Sequence, residues 1–374
     1  MADYVLLRSP AYFTKSAPVG GSVKLEIKDS NGFVLYEIIK NRRTNSFINF
    51  EYSELVRDYV GIYLYDNNEK LVDNVEFELV GTSYTGVNGT GTVVSTTSVD
   101  KIGLDGYGYF EDGRNPEVTK GCLLSNKVIY KLADSEISIP YATENTTSVA
   151  FLYKGEIVHS QVGSMVKFSG VDYVSNTGYT SQSFKDRIES ASSFSYPEAV
   201  YEENECVKQF LDEYELYEVD EVRIGTTEGL ETIKVITVDE CKYEPKKVVF
   251  INRWGAFQDL WFFKKSDETL GTTREQFKKS NTNGFYGTNE HQNVAFNVKS
   301  TKKITLNTGY VSEEYNAPMQ ELLQSELVWM RVDGKNIPMN VESKNLKFKT
   351  SVNDKLVDYT IELSYSFDAI NNIR

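Results

Sequence analysis

Histidine occurs only twice in the 374 residues, at His159 and His291, and cysteine three times, at Cys122, Cys206 and Cys241. Three widely spaced thiols make neither a zinc-ligand pattern nor a disulfide framework, and their odd number fits a reducing compartment. No run of eighteen apolar residues occurs, and the start, MADYVLLRSP, carries neither a basic n-region nor a long apolar core. The expectation is therefore a chain made in the cytoplasm without a signal peptide and without a membrane span. Basic residues are also scarce relative to acidic ones: 40 Lys and Arg against 54 Asp and Glu leave a net charge of −14. No segment collects the basic stripe that phosphate neutralisation needs, which argues against direct nucleic-acid binding.

The signatures of catalysis are missing as well. The chain contains no GxSxG elbow, HExxH, GxxxxGK[ST] or GxGxxG. The glycine-rich GVNGTGTVVS at 86–95 lacks the lysine and the strand-to-helix context of a phosphate loop. DGYGYFED at 105–112 departs from the spacing of a calcium loop. With 54 acidic residues, carboxylate pairs of the kind a glycosidase needs arise by chance and single out no site. No catalytic residue, cofactor or metal site is assigned.

What the chain does have is aromatic surface: 25 tyrosines and 20 phenylalanines beside only 5 methionines and 8 prolines. Aromatic and β-branched residues suit pleated surfaces, so the expected fold is mainly β, built of β-sandwich or barrel-like modules with two or three short helices. VKLEIK alternates apolar and charged residues as a half-buried strand does, DSNG reads as a hairpin turn, and FVLYEIIK follows as its partner. FLYKGEIV turns at Lys154-Gly155, and WMRVDGKNIPM at Asp333-Gly334. Helices are expected in SELVRDYV, whose Leu55, Val56 and Tyr59 share a face, and from Asn316, read as an N-cap, to Gln324. A third amphipathic pattern places Val207, Phe210, Leu211 and Tyr214 on one side. The acidic run at 198–221 reads as a solvated face.

Residues 81–116, rich in Gly, Ser and Thr, are expected to form a long loop or a protruding hairpin, and 266–293 a loop. Three modules are expected: 1–130 with the Gly/Ser/Thr-rich segment, 131–240 in the middle, and 241–374 with one short helix.

The densest aromatic stretch is VVFINRWGAFQDLWFFKK at 248–265, with two of the three tryptophans and four phenylalanines. Both of its alternating faces are apolar, so the first reading is a doubly covered hairpin bent at Trp254-Gly255. An aromatic face buried by another subunit and a sugar-stacking platform remain open beside it.

KVVFINRWGAFQDLWFFKK, ITLNTGYVSEEYNAPMQELLQSELVW and LKFKTSVNDKLVDYTIELSYSFDAINNIR together resemble the C-terminal half of virion structural proteins of tailed bacteriophages, in particular marine and Bacteroidota-infecting ones. VLYEIIKNRRTNSFINFEYSELVRDYV is similar to their start, whereas about 80–240 carries no resemblance. The resemblance implies a tail or tail-tip component, made in the host cytoplasm and residing in the virion. Its implied partners are copies of itself in a ring and neighbouring tail proteins. The residues expected at subunit contacts are Trp254, Phe257, Trp261, Trp329, Tyr107 and Phe110. The alternative is a carbohydrate-binding or receptor-recognition module for a host surface glycan, and a third reading is a β-rich glycoside hydrolase.

Overall fold

A computed structural model describes residues 3–65, 70–113, 115–116, 118, 121–132, 135, 137–142, 147–163, 166–168, 171–176, 219–226, 229–280, 284, 287–345 and 356–370. The chain is mainly β, with a multi-domain β-sandwich character; among the described residues there are several sheets, none closed into a barrel, and two short α-helices. It divides into two compact units, Met1–Asp239 with Ile251–Asp259, and Glu240–Phe250 with Leu260–Arg374.

In unit 1, the N-terminal strands are β1 (Asp3–Leu6), β2 (Tyr12–Ser16), β3 (Ser22–Asp29), β4 (Val34–Asn41), β5 (Phe47–Glu51), β6 (Gly61–Leu64), β7 (Lys70–Asp73), β8 (Val75–Tyr84) and β9 (Val93–Leu104). Five of them form a sheet in the order β1-β9-β8-β3-β4, and β2 pairs with β5. The alternation in β3 buries Val23, Leu25 and Ile27. They share a core with Phe13, Ile48, Phe50 and, from helix α1 (Ser53–Arg57), Val56. Each such side chain contributes roughly 1.5–3 kcal/mol on burial. Helix α1 is shorter than the pattern suggests: Tyr59 lies beyond it and is exposed. Lys70 and Asp259 form a nearly dry ion pair at 2.7 Å.

Of the segment at 81–116, residues 81–104 belong to a hairpin, the second of the two forms expected. β8 and β9 pair from Val75 to Tyr84, with hydroxyls meeting across the ladder at Thr82–Thr96 and Ser83–Ser95. Threonine, valine and serine at these positions are strand residues whose composition imitates a linker. β1 covers the outer edge of β9 only from Lys101 to Leu104.

The second half of unit 1 contains β10 (Gly121–Cys122), β11 (Val128–Leu132), β12 (Ile137–Ala142), β13 (Thr147–Tyr153), β14 (Glu156–Gly163), β15 (Val166–Phe168), β16 (Val171–Asn176), β17 (Glu221–Thr226) and β18 (Gly229–Val238). They form sheets in the orders β10-β12-β16-β15 and β11-β18-β17-β13-β14. Ile137 and Ile139 of the first share one core with Val149, Phe151, Val222, Ile224, Ile233 and Val235 of the second. Lys154 and Gly155 both have positive φ, as the turn expected there requires. The expected boundary at 130 would cut through β11, which pairs in parallel with β18. The helix expected around Val207 lies outside the described residues, as does nearly all of the acidic run.

The remaining strands are β19 (Lys246–Ile251) and β20 (Phe257–Phe262), which unit 2 holds only to Phe250 and from Leu260, and β21 (Asp267–Lys278), β22 (Asn293–Asn307), β23 (Val311–Ser312), β24 (Val328–Val332), β25 (Lys335–Val341), β26 (Leu356–Val357) and β27 (Thr360–Tyr365) of unit 2. Seven of these make a sheet in the order β20-β19-β24-β25-β27-β22-β21. Val248, Val249 and Phe250 are all buried, as expected of a strand covered on both faces. Helix α2 runs from Asn316 to Gln324 and buries Met319 and Leu322. Its N-cap is Tyr315, so Asn316 is already the first helical residue; its side-chain oxygen accepts from the Tyr359 hydroxyl.

Part of the expected loop at 266–293 is strand. β21 pairs with β22 over its whole length, yet all twelve β21 residues are exposed, so no burial rhythm marks it. β22 pairs with β27 only from Lys303 to Asn307. Beyond that point the two strands project as a ribbon with no further strand partner among the described residues. Phe277 and Phe296 meet edge to face on it at 5.7 Å.

Cys122 packs against the second core, and burial pushes its thiol up to about 12, whereas Cys241 is exposed. In a Cys206→Ser background, mass-spectrometric mapping after a short iodoacetamide pulse at pH 8 should find Cys241 alkylated and Cys122 protected until the chain is unfolded.

Candidate functional site

The site is assembled in unit 1 from two short segments, 105–113 and Asn252–Ala256. After β9 the chain turns at Asp105, whose carboxylate takes Arg57 Nε at 2.7 Å. Gly106 follows, and a Cβ there would stand 2.5 Å from the Arg253 carbonyl, so a larger residue would force the two backbones apart. The Tyr107 amide donates to that same carbonyl at 2.7 Å, and the Gly108 amide to Ser9 Oγ at 2.7 Å. A single 3-10 turn, Phe110–Asp112, ends the segment. Asp112 Oδ2 accepts from the Tyr109 amide at 2.9 Å, and the Asp112 amide donates back to the Tyr109 carbonyl at 3.0 Å.

The opposing segment is organised by Asn252, which is completely buried. Its Nδ2 donates to the Leu123 carbonyl at 2.6 Å and to Gln258 Oε1 at 3.1 Å. Its Oδ1 accepts from the amides of Trp254 and Ala256 at 3.0 and 3.2 Å. Gln258 Oε1 also accepts from the amide and hydroxyl of Ser125. Gly255 turns the chain with φ +77, a conformation that L side chains rarely adopt.

Arg253 projects from this turn between two rings, its guanidinium carbon 4.3 Å from the Trp254 centroid and 4.8 Å from that of Tyr109. Nη2 bonds Asp112 at 2.9 Å. Tyr109 meets Tyr107 edge-on at 5.8 Å, and Arg8 lies 4.9 Å over Tyr107. The result is a ladder of alternating cations and rings, each partly desolvated contact contributing about 0.5–2 kcal/mol. Phe110 stands outside it at the apex of the turn, 96% exposed. Beside the turn, Tyr12, Asn49, Ser9, Tyr109 and Phe110 line an open cleft of about 670 Å³.

Of the six residues expected at contacts, Tyr107, Phe110 and Trp254 come together here. Phe257 does not qualify: its ring is wholly buried within the chain and presents no surface to a partner. Trp261 and Trp329 belong to unit 2, and both are half-buried. Trp261 stacks on Phe263 at 6.4 Å, and Trp329 lies opposite Val249 and Pro338 in the sheet. Sequence reasoning missed Arg8, Tyr109, Asp112 and Arg253. The Tyr-x-Tyr spacing at 107 and 109 and the Arg253-Trp254 adjacency were the available signals. In the segment read against a calcium loop, Asp105 and Asp112 both face arginines.

No family model and no curated protein matches the chain. Among solved structures it is similar to the ectodomain of the teleost fish polymeric Ig receptor, at 6% identity over 64% of this chain and 96% of that one. The TM-score is 0.20, too low to bear on fold or function.

Asn252 and Phe110 should respond oppositely to truncation. Asn252→Ala strands a buried carbonyl and two amides and should cost about 2–4 kcal/mol in urea unfolding. Phe110→Ala should stay within roughly 0.5 kcal/mol of the parent, because it removes surface that nothing in the chain covers.

Proposed function

We propose that the chain is a structural subunit of a tailed-bacteriophage virion, a tail ring component of the distal-tail, hub, baseplate or adaptor type, working by assembly and not by catalysis. The observation that carries this reading is the braced apex at Phe110. Phe110 is a large apolar side chain standing 96% in solvent. Here its turn is locked from below by Asp112, Arg253 and the Tyr109 ring. A preformed aromatic anchor of this kind loses little entropy when a neighbour closes over it, which is how interface hot spots are built. The four sequence segments that resemble tail proteins support the virion context. In this reading Tyr107 and Trp254 hold the anchor in place, and Trp261 and Trp329 offer further half-buried aromatic area to neighbours.

A second reading, recognition of a host surface glycan, is favoured by the cleft beside the same turn. Tyr12, Tyr109 and Phe110 line it together with the polar side chain of Asn49. Rings that stack on sugar C–H faces beside hydrogen-bonding side chains are the chemistry such ligands use.

The two readings separate in one set of measurements on the purified chain and its Phe110→Ala form. Under the assembly reading, the parent co-elutes with adjacent tail proteins expressed from the same genome, and Phe110→Ala weakens that complex by about tenfold or more, a typical hot-spot loss. Retention of the complex by Phe110→Ala, or absence of the chain from purified particles by mass spectrometry, overturns it. Glycan-array binding that disappears in both Tyr12→Ala and Phe110→Ala favours the second.

A further inference from the structure

The ribbon formed by β21 and β22 offers a partner that the aromatic turn does not name. Its distal part, residues 271–300, has Arg274, Lys278, Lys279 and Lys299 against Glu275 and Glu290, so it is basic on a strongly acidic protein. The imbalance is regional: unit 1 contains 22 basic and 38 acidic side chains, and unit 2 contains 18 and 16. An isolated two-stranded ribbon is marginal in water, and this one exposes Leu270, Phe277, Phe296 and Val298. Covering it would stabilise both the ribbon and whatever covers it.

Unit 1 has a seat of matching kind. The outer edge of β9 from Val93 to Val99 has no strand beside it among the described residues, since β1 begins its pairing at Lys101. Edges left open in folded proteins are usually blunted by lysine, proline or a charged bulge. This one reads VVSTTSV, seven residues with no charge and no proline, and Val93 and Val94 are more than half exposed. Such an edge is a template for an incoming strand, with main-chain hydrogen bonds supplying affinity.

We propose that the β21–β22 ribbon of one copy of this chain docks along the open β9 edge of a second copy. Charge selects the pairing: two acidic first units repel each other, whereas a basic ribbon is drawn to unit 1 of its neighbour. The contact is heterologous, ribbon to edge, so each copy keeps a free ribbon or a free edge and the association propagates into a closed ring or a filament. Phe277 and Phe296 lie at the docked end of the ribbon, and the attraction between exposed charges weakens as salt is raised.

Two full-chain variants test this. In the first, residues 273–299 are replaced by Asn-Gly, which closes the ribbon into a two-residue hairpin at the Thr272–Ser300 pair. In the second, Val94→Lys and Thr96→Lys blunt the β9 edge. Sedimentation equilibrium should show self-association of the parent, weaker at 0.5 M than at roughly 0.05 M salt. Each variant should remain folded by circular dichroism and self-associate at least about tenfold more weakly, roughly 1.4 kcal/mol. Mixed together, the two should form a one-to-one complex that grows no further, because one supplies the edge and the other the ribbon. A parent that stays monomeric, variants that associate as the parent does, or a mixture that fails to complement would each overturn the proposal. The first and last of these outcomes leave the aromatic turn free to serve a different virion protein, which the co-elution measurement with Phe110→Ala decides separately.

Discussion

A single buried amide fixes the geometry of the aromatic site. Asn252 occupies a place where no water reaches, and both ends of its side chain are fully engaged by Leu123, Gln258, Trp254 and Ala256. An unpaired amide in such a place would be expensive, so the turn has one low-energy arrangement. That arrangement aims Arg253 outward between Trp254 and Tyr109 and leaves its carbonyl where Tyr107 can bond it. The cation–ring ladder, the brace on Asp112 and the presentation of Phe110 all descend from this one satisfied side chain.

The arrangement also accounts for the glycines. Gly106 and Gly255 lie where backbone meets backbone, with Cβ positions 2.5 Å from the Arg253 carbonyl and 2.8 Å from the Asp105 amide nitrogen respectively. The two segments therefore approach as bare main chain, and side-chain chemistry begins only one residue further along each. Rigidity in this site comes from backbone contact, and its exposed chemistry from what the backbone then holds out.

Much of this was legible in the sequence, for identifiable reasons. Strong alternation marked β3, and Asn31-Gly32, Lys154-Gly155 and Asp333-Gly334 marked turns, where Gly32, Gly155 and Gly334 each adopt the positive φ that favours glycine. The stretch at 248–265 was readable as a covered hairpin because both of its faces are apolar over most of their length. Three features were legible only in part or not at all. β21 is exposed on every residue, so no hydrophobic period exists to be found in it. β9 looks like linker because its side chains are small and hydroxylated, although its pairing is regular. The site itself was only half visible: aromatic content pointed to Tyr107, Phe110 and Trp254, but it could not separate Phe257, which looks identical in composition and is buried. The cations of the ladder, Arg8 and Arg253, lie 245 positions apart in the chain, and only the fold brings them to the adjoining rings of Tyr107 and Tyr109.

β22 runs unbroken from the ribbon into the seven-stranded sheet, so the two share one register. A slip of one residue between Lys299 and the sheet would turn Ile304 and Leu306 away from the core. The irregularity between Thr273 and Glu275, opposite Asn297 with its φ of 48°, breaks that coupling. An irregularity of this kind absorbs an unmatched residue, because it already sets unequal numbers of residues against each other. Beyond it, the ribbon can be longer or shorter without altering the sheet, while between it and the sheet the spacing is fixed. Reach is thus a property that can drift without disturbing the fold.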